Sequence, residues 1–154
     1  MVAHRLRLRY GYGMAIERTT ASPPRRWHLS PDALYVAHER AYRRAGEHDL
    51  ALIAATLQAS PSELGQLFGG ISRQAVGKWM HGGIPSTRLA EVGRIADITR
   101  RLRRTFKRER IPAIVRQPNP GLGGHSVLRA LAEPGGAARV AAALDRLTSY
   151  VPSP

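Results

Sequence analysis

The sequence lacks cysteine, and it has few acidic and few aromatic residues. The absence of cysteine excludes disulfides and thiol chemistry, and it is compatible with a reducing cytoplasm, where we expect the protein. No apolar run approaches the ~20 residues that a membrane-spanning helix needs, so a membrane partner is not expected. The sequence also contains no internal repeat.

What the sequence has in excess is positive charge. Lysine and arginine number 24 against 11 aspartates and glutamates, and the formal net charge is +13 at pH 7. Such an imbalance favours a polyanionic partner, although it carries no information about the fold. The 154 residues suffice for one domain of ordinary size or for two small domains that share a core.

No group of residues has the pattern of a catalytic or metal site. The glycines of 121–124 lack the Lys-Ser/Thr pair that completes a phosphate-binding loop. His125 and Ser126 are adjacent, so their side chains would not face each other as base and nucleophile. His38 and His48 have no cysteine partners and no convincing set of carboxylates. We therefore expect a protein that is not an enzyme and that binds no cofactor and no metal.

Residues 1–29 are predicted to form a flexible basic N-terminal arm. Arg5, Arg7 and Arg9 alternate with apolar residues, and no acidic residue occurs before Glu17. An arm of this kind can follow a DNA minor groove or the phosphates, but a disordered tail is the interpretation that the composition favours.

The first helix is predicted to begin at Ser30-Pro31-Asp32 and to end at Gly46. Its apolar stripe would consist of Leu34, Ala37, His38, Ala41, Tyr42 and Ala45. We expect Asp49 to cap a separate helix that crosses behind the following elements as a scaffold. The residues that this helix would turn inward are Leu50, Ile53 and Leu57.

Residues 60–79 have the pattern of two short helices separated by a glycine turn. Ser60 can cap the first of them, Pro61 suits the first helical position, and Glu63 completes a capping box. Gly65 is small enough to let another helix approach closely. The apolar face of this helix would carry Leu64, Leu67 and Phe68.

The second helix of the pair is predicted to follow Gly69-Gly70, with Ser72 as its cap. Its inward-facing residues would be Ala75, Val76 and Trp79. The residues that would face outward are Arg73, Gln74, Gly77 and Lys78.

The pair of helices contains Leu64-Gly65-Gln66-Leu67-Phe68-Gly69, Ser72-Arg73, Val76 and Trp79. With these residues it resembles the Xre (Cro/repressor-type) helix-turn-helix family. The resemblance implies DNA binding, with the second helix as the recognition helix. The residues of this helix that would contact DNA are Ser72, Arg73, Gln74, Gly77 and Lys78. The turn 69–72 holds one residue more than the usual turn of the family, which implies a slightly different angle for the recognition helix.

A long helix is predicted to start with Ser86 or Thr87 as its cap and to reach about Phe106. Its packed side would carry Leu89, Val92, Ile95, Ala96, Thr99, Leu102 and Phe106. Its end is crowded with Arg100, Arg101, Arg103, Arg104, Lys107, Arg108 and Arg110. The helix dipole favours each cation there by at most ~1 kcal/mol, which does not account for so many. Contact with phosphates, contact with an acidic protein and a solvated face are all open, and we assign DNA phosphates to Arg100, Arg101, Arg103 and Arg104.

The composition shifts towards Gly, Pro, Ala and Leu from residue 111, and 111–154 contains four arginines and two acidic residues. Ser126 is expected to cap a helix that carries Val127, Leu128 and Leu131. Pro134-Gly135-Gly136 would end it. A last helix over 137–150 would turn inward Val140, Ala141, Leu144 and Leu147.

This part of the chain contains Pro118-Asn119-Pro120, Leu122-Gly123-Gly124, Ser126, Leu128, Leu131, Gly135, Val140 and Leu144. With these residues it resembles the toxin-binding domain of Xre/MbcA/ParS antitoxins, a family that joins such a domain to an Xre-like helical domain. Members are typically encoded beside a RES-domain toxin that consumes NAD⁺. The chain departs from the family at Ile114, where many members have tryptophan, and at Val127, where many have proline. The residues implied to bind the toxin are Pro118, Asn119, Leu122, Gly123, Gly124, Leu147, Tyr150 and Val151.

The sequence therefore predicts an all-α protein, in which an Xre-like helix-turn-helix bundle precedes a small helical C-terminal toxin-binding domain. The parts are the arm 1–29, the DNA-binding domain 30–106 and the C-terminal domain 107–154. The expected function is that of a type II antitoxin that neutralises a RES-domain toxin and represses its own operon, as a homodimer or a larger assembly with the toxin. The alternative is a stand-alone Xre-family regulator whose C-terminal domain dimerises or senses a ligand. A third possibility is neutralisation of a toxin without operator binding.

Overall fold

A computed structural model describes residues 30–149, and all regular structure in that part of the chain is helical. The all-α fold class is confirmed for these residues. The α-helices are α1 (Pro31–Leu57), α2 (Pro61–Leu67), α3 (Arg73–Met80), α4 (Ser86–Thr105), α5 (Ile111–Ile114), α6 (Val127–Ala132) and α7 (Gly136–Ser149). Short 3-10 helices occupy Arg108–Arg110 and Pro120–Leu122. Within this range no helix is both long enough and apolar enough to cross a bilayer. The predicted arm 1–29 lies outside the described residues.

The first helix is longer than the sequence predicts. It runs through Gly46 and Asp49 to Leu57, so the predicted end at Gly46 and the predicted cap at Asp49 are both wrong. Gly46 is buried, and a Cβ built on it would lie 2.3 Å from Cδ2 of Leu89 on α4. This glycine allows a close contact between two helices. A glycine inside a helix costs only about 1 kcal/mol relative to alanine, so packing against α4 can outweigh it.

The apolar stripe predicted for the start of α1 is also wrong. The residues that α1 buries are in its second half, where Leu50, Ile53 and Leu57 are completely inaccessible to solvent. None of residues 31–45 is buried, and Leu34 and Tyr42 are 54% and 45% exposed. A helix turns by about 100° per residue. On that basis the predicted stripe lies about 100° around the helix from the face that α1 packs against the core.

One hydrophobic core draws on most of the helices. α1 lies along α4, which contributes the predicted residues Leu89, Val92, Ile95, Ala96, Thr99 and Leu102. The later part of the chain contributes Ile111, Val115, Val127, Ala130, Leu131, Val140 and Leu144. The predicted division between 30–106 and 107–154 stays a prediction, and side chains from both sides of it share this core.

The starts of the later helices differ in their capping. α4 begins at Ser86 with Pro85 in the capping position and no side-chain cap, so the predicted capping by Ser86 or Thr87 is wrong. The proline ring already fixes φ at −60° there, in an extended conformation that leads into the helix. The cap of α6 is as predicted, because the Ser126 hydroxyl accepts a hydrogen bond from the Arg129 N–H at 3.2 Å.

The last helix is buried on the predicted face for most of its length. Val140 and Leu144 are 1% and 6% exposed. Leu147 continues this face, but it is 56% exposed, so the prediction that it points inward is wrong. Residues 145–149 are all exposed, so Leu147 lies in the part of the helix that follows its buried segment.

Arg116, which follows α5, joins the end of α1 to the start of α2. Its guanidinium donates hydrogen bonds to the carbonyl oxygens of Leu57 and Gln58, each at 3.0 Å, and to that of Pro112 at 2.7 Å. Two more hydrogen bonds, of 3.0 and 3.1 Å, reach the carboxylate of Glu63. The last carbonyls of a helix have no partner within it. Arg116 therefore satisfies groups that the end of α1 leaves open.

Glu63 connects this contact to the predicted capping box of α2. Its carboxylate accepts a hydrogen bond from the Ser60 N–H at 2.8 Å, and the Ser60 hydroxyl accepts one from the Glu63 N–H at 3.2 Å. The hydrogen bond from the Ser60 backbone is the main reason why the pKa of Glu63 lies below its ordinary value, and the charge of Arg116 acts in the same direction. The folded chain thus holds Glu63 in its charged form.

Replacing Arg116 by methionine should lower the free energy of unfolding, because it removes every donor described above and keeps much of the apolar stem. We expect a loss of about 1–2 kcal/mol, at the lower end for such a network because the Arg116 and Glu63 side chains are 37% and 33% exposed. Urea unfolding followed by circular dichroism measures it.

The matched control is Arg129→Met. The Arg129 side chain is 70% exposed and lies 3.9 Å from the carboxylate of Glu133, so the change should stay below about 0.5 kcal/mol. Equal losses in the two variants would contradict the role assigned to Arg116.

Candidate functional site

The turn between α2 and α3 depends on two glycines with left-handed backbone angles. The φ angles of Gly69 and Gly70 are +80° and +79°, values that residues with side chains rarely adopt. The N–H groups of Gly70 and Ile71 both donate to the carbonyl oxygen of Gly65, at 2.9 and 3.0 Å. The turn is therefore folded back onto α2.

Gly65 is needed for this turn more than for contact with another helix. A Cβ built on it would lie 2.3 Å from the carbonyl oxygen of Ile71, whereas the nearest atom of α3, in Val76, would be 3.8 Å away. No side chain fits at position 65 without displacing the backbone of the turn. The glycine thus fixes how α3 follows α2.

The orientation of α3 agrees with the sequence prediction. The Ser72 hydroxyl accepts a hydrogen bond from the Ala75 N–H at 3.1 Å and caps the helix. Val76 and Trp79 are buried, and the ring centroids of Trp79 and Phe68 are 5.5 Å apart. The exposed residues of α3 include the predicted set Arg73, Gln74, Gly77 and Lys78. Their assignment to DNA stays a prediction.

The exposed face of α3 is positively charged. No aspartate or glutamate occurs between Glu63 and Glu91 in the sequence. A shallow depression beside the helix is lined by Gln74, Gly77, Lys78, His81, Gly82 and Gly83. One acidic residue of α1 reaches its end, since a Cβ on Gly82 would lie 3.0 Å from Oε1 of Glu47. The face offers cationic and amide donors beside the bare backbone of Gly77, which suits a polar, anionic surface.

Two of the four arginines assigned to DNA phosphates bind acidic groups of the chain itself. Arg100 donates hydrogen bonds to Asp49 on α1 and, at 2.8 Å, to Asp97 on α4. Arg101 donates one to Asp145 on α7 at 2.9 Å. Both arginines and the carboxylates of Asp97 and Asp145 are exposed, and such pairs typically contribute 1 kcal/mol or less, whereas the Asp49 side chain is only 17% exposed. They reduce the positive charge that Arg100 and Arg101 present to a ligand. Pairs this weak still allow either arginine to leave its carboxylate and bind an anionic ligand.

The other two arginines differ from this pair in their surroundings. Among residues 30–149, neither Arg103 nor Arg104 forms a salt bridge. Both side chains are exposed, and together with Arg100 they line one shallow depression on α4. The positive charge that α4 presents to a ligand is therefore stronger at Arg103 and Arg104 than at Arg100 and Arg101.

Asn119 organises the turn that precedes α6. Its Oδ1 accepts a hydrogen bond from the Gly121 N–H at 2.8 Å, and its carbonyl oxygen accepts from Leu122 and Gly124 at 2.9 and 3.0 Å. Its own N–H donates to the carbonyl of His125 at 3.1 Å. Asn119 is one of the residues assigned to toxin binding, and in the structure its Oδ1, its backbone N–H and its carbonyl oxygen are used within its own turn. Asn119 therefore fixes the shape of the turn.

Half of the residues assigned to toxin binding lie around two adjoining depressions beside α7. These residues are Asn119, Leu122, Gly123 and Leu147. Both depressions are also lined by Gly121 and Arg146, and Nη2 of Arg146 donates to the carbonyl oxygen of Gly121 at 3.3 Å. Arg146 thus holds the turn against α7.

The remaining residues of that set are placed differently. Pro118 is exposed just before the turn, and Gly124 lies within it with a φ of +81°. Neither lines the two depressions. Tyr150 and Val151 lie outside the described residues.

A cluster of charges around Glu133 was missed by sequence reasoning. Its carboxylate accepts a hydrogen bond from Arg139, lies 2.9 Å from Nδ1 of His125 and lies 3.9 Å from Nε of Arg129. The hydrogen bond from Arg139 is the main reason why the pKa of Glu133 lies below its ordinary value, and the charges of Arg139 and Arg129 act in the same direction. Only the spacing of Arg129 and Glu133, four residues apart, was a signal that the sequence offered.

No protein-family model matches the chain, and neither a curated protein nor a solved structure matches it. The functional assignment of this chain therefore depends on the residues and contacts of its own surfaces.

Two glycines of this region should respond to alanine in opposite directions. Gly77 is inside α3, and a Cβ there would meet nothing within 4 Å. Gly77→Ala should raise the free energy of unfolding by about 0.5–1 kcal/mol, because alanine is the better helix former. Gly65→Ala should lower it by about 1–3 kcal/mol, because the new Cβ would overlap the carbonyl of Ile71. Thermal unfolding of both variants tests this, and a stabilising Gly65→Ala would contradict the account of the turn.

Proposed function

We propose that the chain is a cytoplasmic antitoxin that represses its own operon through α3 and covers a RES-domain toxin with the surface beside α7. The observation that carries the proposal is the exposed, positively charged face of α3, held on a fixed turn after α2. In this proposal α2 and α3 are the two helices of an Xre-like helix-turn-helix, and α3 enters the major groove. By this proposal the chain is a binding protein and has no catalytic role.

The α3 face has the chemical groups for reading base edges. Arg73 can donate two hydrogen bonds to guanine, Gln74 can pair with adenine, and Lys78 can donate to guanine or to a phosphate. Ser72 and the first N–H groups of α3 suit a phosphate. Gly77 carries no side chain between Gln74 and Lys78, which lets the backbone of α3 approach the groove floor.

The arginines at the end of α4 supply phosphate contacts in this proposal. Arg103 and Arg104 are the principal pair, since their charge is not offset by a carboxylate within the described chain. Arg100 and Arg101 can contribute by exchanging Asp49 and Asp145 for phosphate. Contacts of this kind position the protein and add salt-dependent affinity, and they carry no sequence information.

The surface beside α7 is proposed to receive the toxin. Leu147 is 56% exposed, and Leu122 is half-buried next to it across the two depressions. Arg139 and Arg146 are seven residues apart on α7, so they lie on one side of the helix. They flank the apolar surface of Leu122 and Leu147. An apolar centre with charged groups at its edge is the usual anatomy of a protein interface.

The shared core favours a second candidate, a stand-alone Xre-family regulator. Side chains of α5, α6 and α7 pack with those of α1, α2 and α4 in one cluster. The C-terminal part would then complete the DNA-binding bundle, and its free surface would serve dimerisation or a ligand. An exposed Leu147 beside a preformed turn favours the antitoxin.

DNA binding is tested by three alanine variants titrated with salt on the upstream promoter. Arg73→Ala should relax preference at one base pair by about 1–3 kcal/mol, and Arg103→Ala should weaken all duplexes alike and lower the salt slope by about 1. Arg101→Ala is the matched control on the same helix, with a smaller slope change because Asp145 lies 2.9 Å from its guanidinium. Fluorescence anisotropy on specific and scrambled duplexes measures these effects. Identical behaviour of Arg73→Ala and Arg103→Ala would refute the two roles, and no shift of promoter DNA by the wild type would leave only toxin neutralisation.

Toxin binding is tested by co-expression with the adjacent reading frame, scoring growth rescue and co-purification. Leu147→Asp should abolish both, because a charge would be placed in the centre of the proposed contact, and it should leave the fold intact because Leu147 is exposed. Ala138→Asp is the control, since residue 138 is exposed on the opposite side of α7, nine residues or about 180° away. If the wild type retains promoter binding and the neighbouring product neither co-purifies nor is neutralised, the regulator is the correct function.

A further inference from the structure

The first half of α1 projects from the bundle, and it does so next to the loop that follows α3. None of residues 31–45 is buried, and we call them the projecting half of α1. Burial begins at Gly46, where a built Cβ would lie 2.3 Å from Leu89 and 3.6 Å from Ile84. Ile84 belongs to the loop between α3 and α4. The projecting half therefore leaves the bundle beside this loop.

Glu47 shows which side of α1 is turned towards the α3 region. A Cβ built on Gly82 would lie 3.0 Å from its Oε1, and Gly82 lines the depression beside α3. At about 100° per residue, Arg40 lies within about 20° of Glu47 around the helix axis, and Arg44 lies within about 60°. Arg44 and Arg40 are thus on the side of α1 that meets the end of this depression, about one and two turns further from the bundle.

These two arginines present their charge to solvent. Both are exposed, and among residues 30–149 neither forms a salt bridge. Arg43 differs from them, because its Nε donates a hydrogen bond of 3.0 Å to Glu39 on the same helix. Glu39 and Asp32 lie about 80–140° around the axis from Arg40 and Arg44. One side of the projecting half is therefore cationic although the segment also contains acidic residues.

We propose that Arg40 and Arg44 bind phosphates of the same duplex that α3 reads. The inference rests on the proposed function, because α3 sets the position of the duplex. Lys78 and His81 line the depression beside α3, so the cationic side of α1 continues the charged face of that helix. Arg40 and Arg44 are four residues apart and therefore neighbours on the helix surface. A guanidinium can donate two parallel hydrogen bonds to one phosphate.

Glu47 determines where along α1 these contacts fall. It is half-buried beside Gly82, and its carboxylate would repel a phosphate placed at the end of the depression. The sugar-phosphate backbone would therefore pass further out, at Arg44 and Arg40. These contacts position the duplex and add salt-dependent affinity without reading its sequence.

An acidic surface of a protein is the other partner that two free arginines could take. Their place beside the exposed face of α3 favours DNA, because a duplex bound to α3 would extend past the end of the depression. On this basis the projecting half of α1 is a second DNA-contacting element, which α1 holds rigidly because the same helix is packed in the core from Gly46 to Leu57.

Salt-titrated binding of the full chain to promoter DNA tests the proposal. Arg40→Gln with Arg44→Gln should lower the salt slope by about 2, because each phosphate contact contributes about 0.9. The change should be equal on specific and scrambled duplexes, and base preference should stay as in the wild type. Fluorescence anisotropy measures the slopes, and hydroxyl-radical footprinting should show lost protection beside the bases that α3 contacts. Circular dichroism verifies that the variant remains helical.

The matched control is Arg129→Gln with Arg139→Gln, which removes the same two charges from α6 and α7. Its salt slope should stay within about 0.5 of the wild type. Equal slopes in the two double variants overturn the proposal, because the effect would then be one of net charge. A wild-type slope in Arg40→Gln with Arg44→Gln also overturns it.

The same titration separates this inference from the proposed function. If Arg73→Ala still relaxes base preference while the α1 variant binds as the wild type does, only the role of Arg40 and Arg44 is wrong. If the wild type binds no promoter DNA, both fail. If the α1 variant keeps its DNA binding and loses co-purification with the neighbouring gene product, this side of α1 receives a protein and the assignment to DNA is wrong.

Discussion

The close contact between α1 and α4 is the constraint on which most of this structure depends. A side chain at Gly46 would have to displace the end of Leu89, and Leu50, Ile53 and Leu57 continue the packing from there. The same stretch of α1 is linked to α4 by the salt bridge between Asp49 and Arg100. Because α3 packs against α1 as well as against α2, the α1–α4 contact also contributes to the position of the exposed face of α3. It likewise determines where α1 leaves the bundle.

Among the described residues, some arginines are bound by carboxylates and others are not, although the chain as a whole has a large excess of positive charge. Arg100, Arg101, Arg116 and Arg139 are engaged by carboxylates. The first three connect parts of the chain that are distant in the sequence, and Arg139 connects α7 to the end of the preceding α6. Arg103 and Arg104 lack such partners among residues 30–149, and the α3 region carries cations without acidic neighbours in the sequence. The same residue type therefore serves two purposes, cohesion of the bundle and attraction of an anionic partner. Composition alone does not separate them.

The features that the sequence predicts well are local. The capping box of Ser60 and Glu63, the caps at Ser72 and Ser126 and the inner face of α3 follow from rules that span three or four residues, and the structure has them. The errors come from contacts across the fold. Gly46 has the local signature of a helix end, and only the neighbouring α4 explains why the helix continues. Arg101 and Asp145 are 44 residues apart, so their pairing leaves no trace in any helical pattern. The surfaces assigned to DNA and toxin stay predictions, since residue type and exposure do not identify a partner.

The contacts of Arg116 have a consequence for the integrity of the molecule. Residues 107–110 are all exposed, and they form the covalent connection between the part before residue 106 and the part that follows. The Arg116 guanidinium, which follows that connection in the sequence, nevertheless bonds the end of α1 and the start of α2. The hydrophobic core is also continuous between the two parts. A protease that cut the exposed connection would leave two fragments still associated through these contacts. The two parts of the chain are therefore held together by the contacts of the bundle, and the covalent connection at 107–110 is not needed to keep them associated.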